Sequence, residues 1–322
     1  MVVAFLDLLG FSNLLEVDEE VALDNLNSFN NVIRTRVTDA LTHPLSEYQQ
    51  KYPADESFHR FVEKSSVTSF EHMISFSDSL VIGASNVDLF INQLINFIST
   101  VYINYSEPFK LPFADIKKVE NHRVVTGLSN GELVYHKAFP LLFRGGISLG
   151  DSVGFFKEYH INNSQSSLTS LNVFGQTYLK SVKLEKAGKG PRLFCDSTIV
   201  NVISNKKMIK KVNLDKDIYE IVWTIEGCEA TERSSDKWYN VMKSINDKML
   251  PAAVNLYNYY KSEEKLEPQY RELIYLVCYG IIKYANDECD RAEDAMNYIS
   301  DYLANKCCKI EIEKSFLDDF LV

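Results

Sequence analysis

Residues 2–11, VVAFLDLLGF, place one acid inside an otherwise apolar run. The β-branched start and short length read as a buried strand from Val2 to Leu9 that ends near Gly10. Working outward, Glu19 to Leu41 has helical apolar spacing, and His43-Pro44 stops it. Residues 46–69 are polar and aromatic without a period, which marks an insertion or lid. Met73 to Gly83 reads as two short strands around a tight turn, MISF, SDS and LVIG. Asn86 to Tyr105 is an amphipathic helix pattern. Residues 108–140 are loop-rich, with a small hairpin expected around Asn130-Gly131, a favoured turn dipeptide.

Leu141 to Leu149 reads as a strand carrying Gly145 and Gly146, and Val153 to Phe156 as another. Asn162 to Ser170 reads as a flexible polar loop, Phe174 to Ala187 as a helix closed by Gly188, and Arg192 to Cys195 as a strand. This β-α-β-β-α-β-α-β order suits an α+β fold of the ferredoxin-like, split βαβ kind. Its sheet is expected to be mostly antiparallel, with helices on one face. Beyond about residue 218 the character changes. Lys237 to Lys261, Gln269 to Asn286 and Asp290 to Asn305 are helical patterns dense in tyrosine, suited to core and interface packing. The division expected is a domain over 1–205 and a mostly helical extension over 206–322.

The whole chain has 322 residues, 46% hydrophobic and 24% charged, enough for a sizeable core and unlike a disordered chain. The net charge of -10 argues against nucleic-acid binding, which wants a basic footprint. No apolar run is long enough to span a bilayer, so no membrane partner is expected. The six cysteines include no CxxC pair and read as reduced thiols of a cytoplasmic protein without a signal peptide. No Ser-His-Asp or Cys-His arrangement is legible, and the histidines lack metal-ligand spacing.

Two acids stand out by position. Asp7 lies in the apolar strand, where a carboxylate is costly unless it is paired or binds a cation. Asp78 sits at the tip of the expected hairpin. In a split βαβ sheet these elements lie side by side, so the two carboxylates converge on one or two hard divalent ions shared with substrate phosphates. Taken singly, Asp7 also reads as a hydrogen-bonded buried acid and Asp78 as an ordinary turn residue. Gly10, Phe11 and Ser12 follow the strand, and the turn there offers backbone N–H groups to a triphosphate. Arg144 lies on the middle strand beside two glycines. It reads either as a phosphate or base contact or as one half of a surface ion pair. Lys180 and Lys183 share a helix face, as triphosphate contacts from a partner subunit or as a solvated surface.

FLDLLGFSNLL, SFSDSLVIG, FRGGISLGD and VFGQTYLKSVKLEKAG occur in the order of the motifs of class III nucleotide cyclase domains. With the continuation KGPRLFCD, the chain resembles the Pycsar-type pyrimidine cyclases of bacterial anti-phage defence over roughly residues 2 to 196. The resemblance implies conversion of UTP, or CTP, to the 3′,5′-cyclic monophosphate (cUMP or cCMP) with release of pyrophosphate. It implies two Mg²⁺ or Mn²⁺ ions per active site, held by Asp7, Asp78 and the Leu8 carbonyl. Phe11 and Ser12 match the triphosphate turn. It further implies a homodimer with active sites at the interface, and a separate cyclic-nucleotide-sensing effector.

Departures accompany it. The purine-reading positions of related cyclases fall on Ile74 and Asn172, and their transition-state asparagine and arginine on Leu179 and Lys183. That argues against ATP and GTP, since such sites discriminate through paired polar groups. It also leaves open a catalytically silent module that binds nucleotide or a partner.

Overall fold

The computed structural model describes residues 1–17, 19–33, 69–106, 123–129, 132–137, 140–161, 167–213, 215–229, 234–306 and 310. The expected lid at 46–68, the end of the first long helix beyond Ile33 and the Asn130-Gly131 turn lie outside these residues.

A seven-stranded sheet has the order β10-β11-β9-β6-β1-β3-β2. Its strands are β1 (Val2–Leu8), β2 (His72–Phe76), β3 (Ser79–Ala84), β6 (Phe143–Leu149), β9 (Leu193–Cys195), β10 (Ile209–Asn213) and β11 (Ile218–Ile221). All neighbours run antiparallel except β6 and β9. Two hairpins stand apart from it: β4 (Arg123–Ser129) with β5 (Glu132–Lys137), and β7 (Gly154–Ile161) with β8 (Ser167–Phe174). The fold is therefore α+β with a mostly antiparallel sheet. The sheet also draws two strands from beyond residue 205.

Alternation along β1 explains where its side chains go. Val2, Ala4, Leu6 and Leu8 enter the main core, while Val3, Phe5 and Asp7 take the opposite face. On the core side, Phe143 of β6 packs against Phe29 of α2 (Glu19–Ile33) and Phe97 of α3 (Val87–Tyr105). Asn86 caps α3, accepting from the Leu89 N–H at 3.1 Å.

On the opposite face lies α4 (Gln176–Glu185), whose Tyr178 meets the Phe5 ring edge-on. Helices thus cover both faces of the sheet, which corrects the expectation of one. The reason is Gly146: a Cβ there would sit 1.9 Å from the Ser181 carbonyl oxygen, so only glycine lets α4 lie this close.

The Asn162–Ser170 loop also needs correction, because its last four residues belong to β8 and pair with β7. Downstream, α5 (Lys237–Lys243), α6 (Leu250–Tyr260), α7 (Glu267–Cys289) and α8 (Ala292–Asn305) make the C-terminal region helical. No helix among the described residues is long and apolar enough to cross a membrane.

Candidate functional site

The acidic end of β1 owes its surroundings to strand register. Asp7 stands opposite Ser79 of β3 and opposite Arg144 of β6. Directly opposed residues share a face of the sheet, so their side chains meet. The Ser79 hydroxyl donates to Asp7 Oδ1 at 3.1 Å. Arg144 donates to Asp7 Oδ2 twice, from Nη2 at 2.8 Å and Nε at 3.0 Å. Glu185, the last residue of α4, brings Oε1 to 2.5 Å from the same Nε. That N–H is directed at Asp7, and Glu185 Oε1 makes no aligned hydrogen bond of its own.

Asp78 reaches the same place through the β2–β3 turn. Ser77 takes a left-handed conformation (φ 53°), and the Asp78 carbonyl accepts from the Leu8 N–H at 2.9 Å. Burial pushes the Asp78 carboxyl above the usual carboxylate range, and the negative charge of Asp7 pushes it further, with Arg144 opposing. Burial likewise raises Glu185, against the pull of Arg144. Three carboxylates therefore share one arginine.

Lys186 adds a further pull on Glu185, so the three acids still outnumber the cations beside them. Among the described residues no set of three or more His, Cys, Asp and Glu forms a complete metal cage. Mg²⁺ does not need one, because it is commonly held by one or two carboxylates with substrate phosphates and water. Asp7 and Asp78 fit that mode. Arg144, meanwhile, is engaged as an ion-pair partner of Asp7 and Glu185.

No protein-family model matches this chain. No curated protein matches it either.

The remaining candidates divide. Phe11 opens α1 (Phe11–Val17) with its ring buried in the core, so only its backbone can meet a ligand; Ser12 beside it is exposed. Lys180 is exposed and pairs within its own chain. Its Nζ lies 2.6 Å from Asp196 Oδ2, a carboxylate that also accepts from the Ser148 hydroxyl and caps the helical turn starting at Ser197. Lys183 is exposed, as is Leu179 one turn earlier on the same face. Ile74 is buried in β2. Asn172 is half-buried on β8, in the hairpin outside the main sheet.

Glu185 is the member that sequence reasoning missed. Its signal was available: Thr177, Ser181, Leu184 and Glu185 form one buried stripe at helical spacing, so an acid closed the inward face of α4.

Proposed function

We propose that the chain is a metal-dependent pyrimidine nucleotide cyclase that converts UTP, or CTP, to the 3′,5′-cyclic monophosphate and pyrophosphate. The observation that carries this reading is the meeting of Asp7 and Asp78 where β1 adjoins the β2–β3 turn, with too little positive charge around them. The order of the four cyclase-like motifs supports it.

Asp7, Asp78 and the Leu8 carbonyl would hold two divalent ions, Mg²⁺ or Mn²⁺. Bound there, such ions lower the cost of an alkoxide at the ribose 3′-oxygen and neutralise phosphate charge. In the reaction the 3′-oxygen loses its proton to solvent water and bonds to the α-phosphorus, while the bond from that phosphorus to the bridging oxygen breaks and pyrophosphate leaves. Backbone N–H groups at Phe11 and Ser12 meet the triphosphate. Arg144, the guanidinium beside Asp7, would be the cation that meets the phosphates. Ile74 offers no hydrogen bond to a purine, and Asn172 supplies the polar contact on the base side.

Leu179 and Lys183 face outward together, and Phe174 close by is also exposed. These suit a homodimer whose partner completes each site. By resemblance, the product is a cytoplasmic messenger of anti-phage defence, read by a separate effector.

The test is turnover of ATP, GTP, CTP and UTP separately with Mn²⁺, the products resolved by chromatography and mass detection. A single cyclic pyrimidine monophosphate is the expected product, with Asp7→Ala and Asp78→Ala each reducing it at least ~100-fold. A purine product overturns the base assignment. Nucleotide binding without turnover in any arm indicates the catalytically silent module instead.

A further inference from the structure

The turn that leaves β1 has a second neighbour. A cavity of about 120 Å³ lies between this turn, at Gly10 and Asn13, and the α6–α7 connection of the C-terminal region. Asn25 of α2 lines it, is 4% exposed, and its Oδ1 has no hydrogen-bond partner. A buried acceptor without a donor is unusual and asks for one.

Opposite stand Tyr260 and Tyr270, both buried, their rings stacked 4.5 Å apart at 8°. Glu263 completes the wall. Among the described residues no lysine or arginine pairs with it; its neighbour Lys265 is taken by Glu16, and Arg271 by Glu267.

These features call for the same guest. An unmet acceptor wants an N–H, an unpaired carboxylate wants a positive charge, and aromatic rings attract cations. Water could satisfy Asn25, while the half-buried Glu263 carboxylate favours a cation over a neutral guest. An anion is excluded by Glu263, and a purely apolar guest leaves Asn25 unsatisfied. The volume approaches that of cavities of about 150 Å³ that accept a benzene-sized molecule.

We propose that this cavity binds a small organic ammonium ion, a primary amine whose N–H groups go to Asn25 Oδ1 and the Glu263 carboxylate. The site does not depend on the cyclase reading. Gly10, with φ 82°, belongs both to the cavity and to the chain that joins Leu8 to Phe11.

The experiment is titration calorimetry on the full chain with n-butylammonium chloride, with n-butanol and sodium butyrate as neutral and anionic counterparts at matched ionic strength. Saturable one-to-one binding of butylammonium is expected. Butanol and butyrate should bind at least about tenfold more weakly, the scale of one charge-assisted hydrogen bond. Asn25→Leu should abolish the binding. Because that substitution is in the core, Glu263→Gln at a half-buried position provides the second variant, with an expected loss of about tenfold and unchanged thermal unfolding. Absence of saturable heat would mean a water-filled cavity and overturn the proposal. Equal binding of butanol, or undiminished binding by Glu263→Gln, would overturn it as well.

Discussion

Asp78 is held in a place that disfavours its charge. Its folded carboxyl titrates above its ordinary value of 3.8, first because it is buried and second because Asp7 is near. A raised carboxyl binds its proton more tightly folded than unfolded, so stability falls as pH climbs through that window and stays lower above it. Asp78→Asn removes the effect. At pH 7 and without metal, the variant should melt about 1–2 °C above the native chain, a small shift for this size. The difference should vanish as pH falls below about 4, where the native carboxyl is protonated. Differential scanning calorimetry across this range checks it, and a variant that melts lower at pH 7 contradicts the crowding of the two acids. Arg144 has the opposite role, as the shared counter-charge. Removing one partner from a buried ion pair costs about 3–5 kcal/mol. Arg144 is 34% exposed, so water recovers part of that, and Arg144→Ala should cost about 2 kcal/mol. Replacing both partners, in Asp7→Asn with Arg144→Met, should recover some of the loss. Urea denaturation of the variants measures this, and a strictly additive double variant would deny the coupling.

At the scale of elements, the close approach of α4 to the sheet makes the cluster possible, because Glu185 ends that helix. Its dependence on Gly146 is testable. A methyl group at this position meets backbone of the helix, the Ser181 carbonyl and the Glu185 N–H, and backbone cannot rotate aside. Gly146→Ala should therefore cost about 3 kcal/mol, at the upper end for overpacking, and pull Glu185 away from Arg144. A denaturation midpoint equal to that of the native chain would show that α4 is not seated against β6. The strands β1, β3 and β6 were legible from β-branched runs and turn residues, and so was the hairpin that carries Asp78. Two elements were not, for separable reasons. Residues 167–170 are serine- and threonine-rich and read as loop, but pairing with β7 makes them strand. The single helix expected over Lys237 to Lys261 is broken by a wider turn at Ser244–Lys248. Pro251 follows it, lacks an N–H and crowds the carbonyl four residues back, and the Met249 N–H bonds five residues back to Ser244 at 3.1 Å. Periodicity alone cannot register that slip. In the candidate site, Asp7 and Asp78 were legible because an acid in an apolar strand and an acid at a turn are local signals. The partners of Arg144 and Lys180 were not, since cross-strand register and helix seating are properties of the assembled chain.

For the molecule as a whole, elements on the two sides of residue 205 are bonded to one another. Strands β10 and β11 extend the main sheet beside β9. Trp223 is fully buried, and its indole N–H donates to the Pro191 carbonyl at 2.7 Å. Its own carbonyl accepts from Ser99 of α3 at 2.9 Å, and the Tyr102 hydroxyl of α3 reaches the Met249 carbonyl at 2.8 Å. Arg192, beside β9, is clamped by both oxygens of Glu220 on β11 at 2.7 and 2.6 Å, and its other arm approaches Glu272 of α7 at 3.5 Å. A chain cut after residue 205 would lose every one of these partners. Truncating a buried Trp side chain alone costs about 3–5 kcal/mol. Losing the hydrogen bonds of the Arg192 guanidinium and the Tyr102 hydroxyl, which water then replaces, adds about 0.5–1.5 kcal/mol each. The sum is comparable with the entire stability of a typical domain, about 5–15 kcal/mol. Residues 1–205 expressed alone should therefore be aggregated or lack a cooperative thermal transition by circular dichroism, whereas the full chain should melt cooperatively. A soluble 1–205 fragment with a sharp transition would show that the sheet closes without β10 and β11. The C-terminal helices would then be a separable addition rather than part of the same core, and the Asp7 cluster would have to be judged without them.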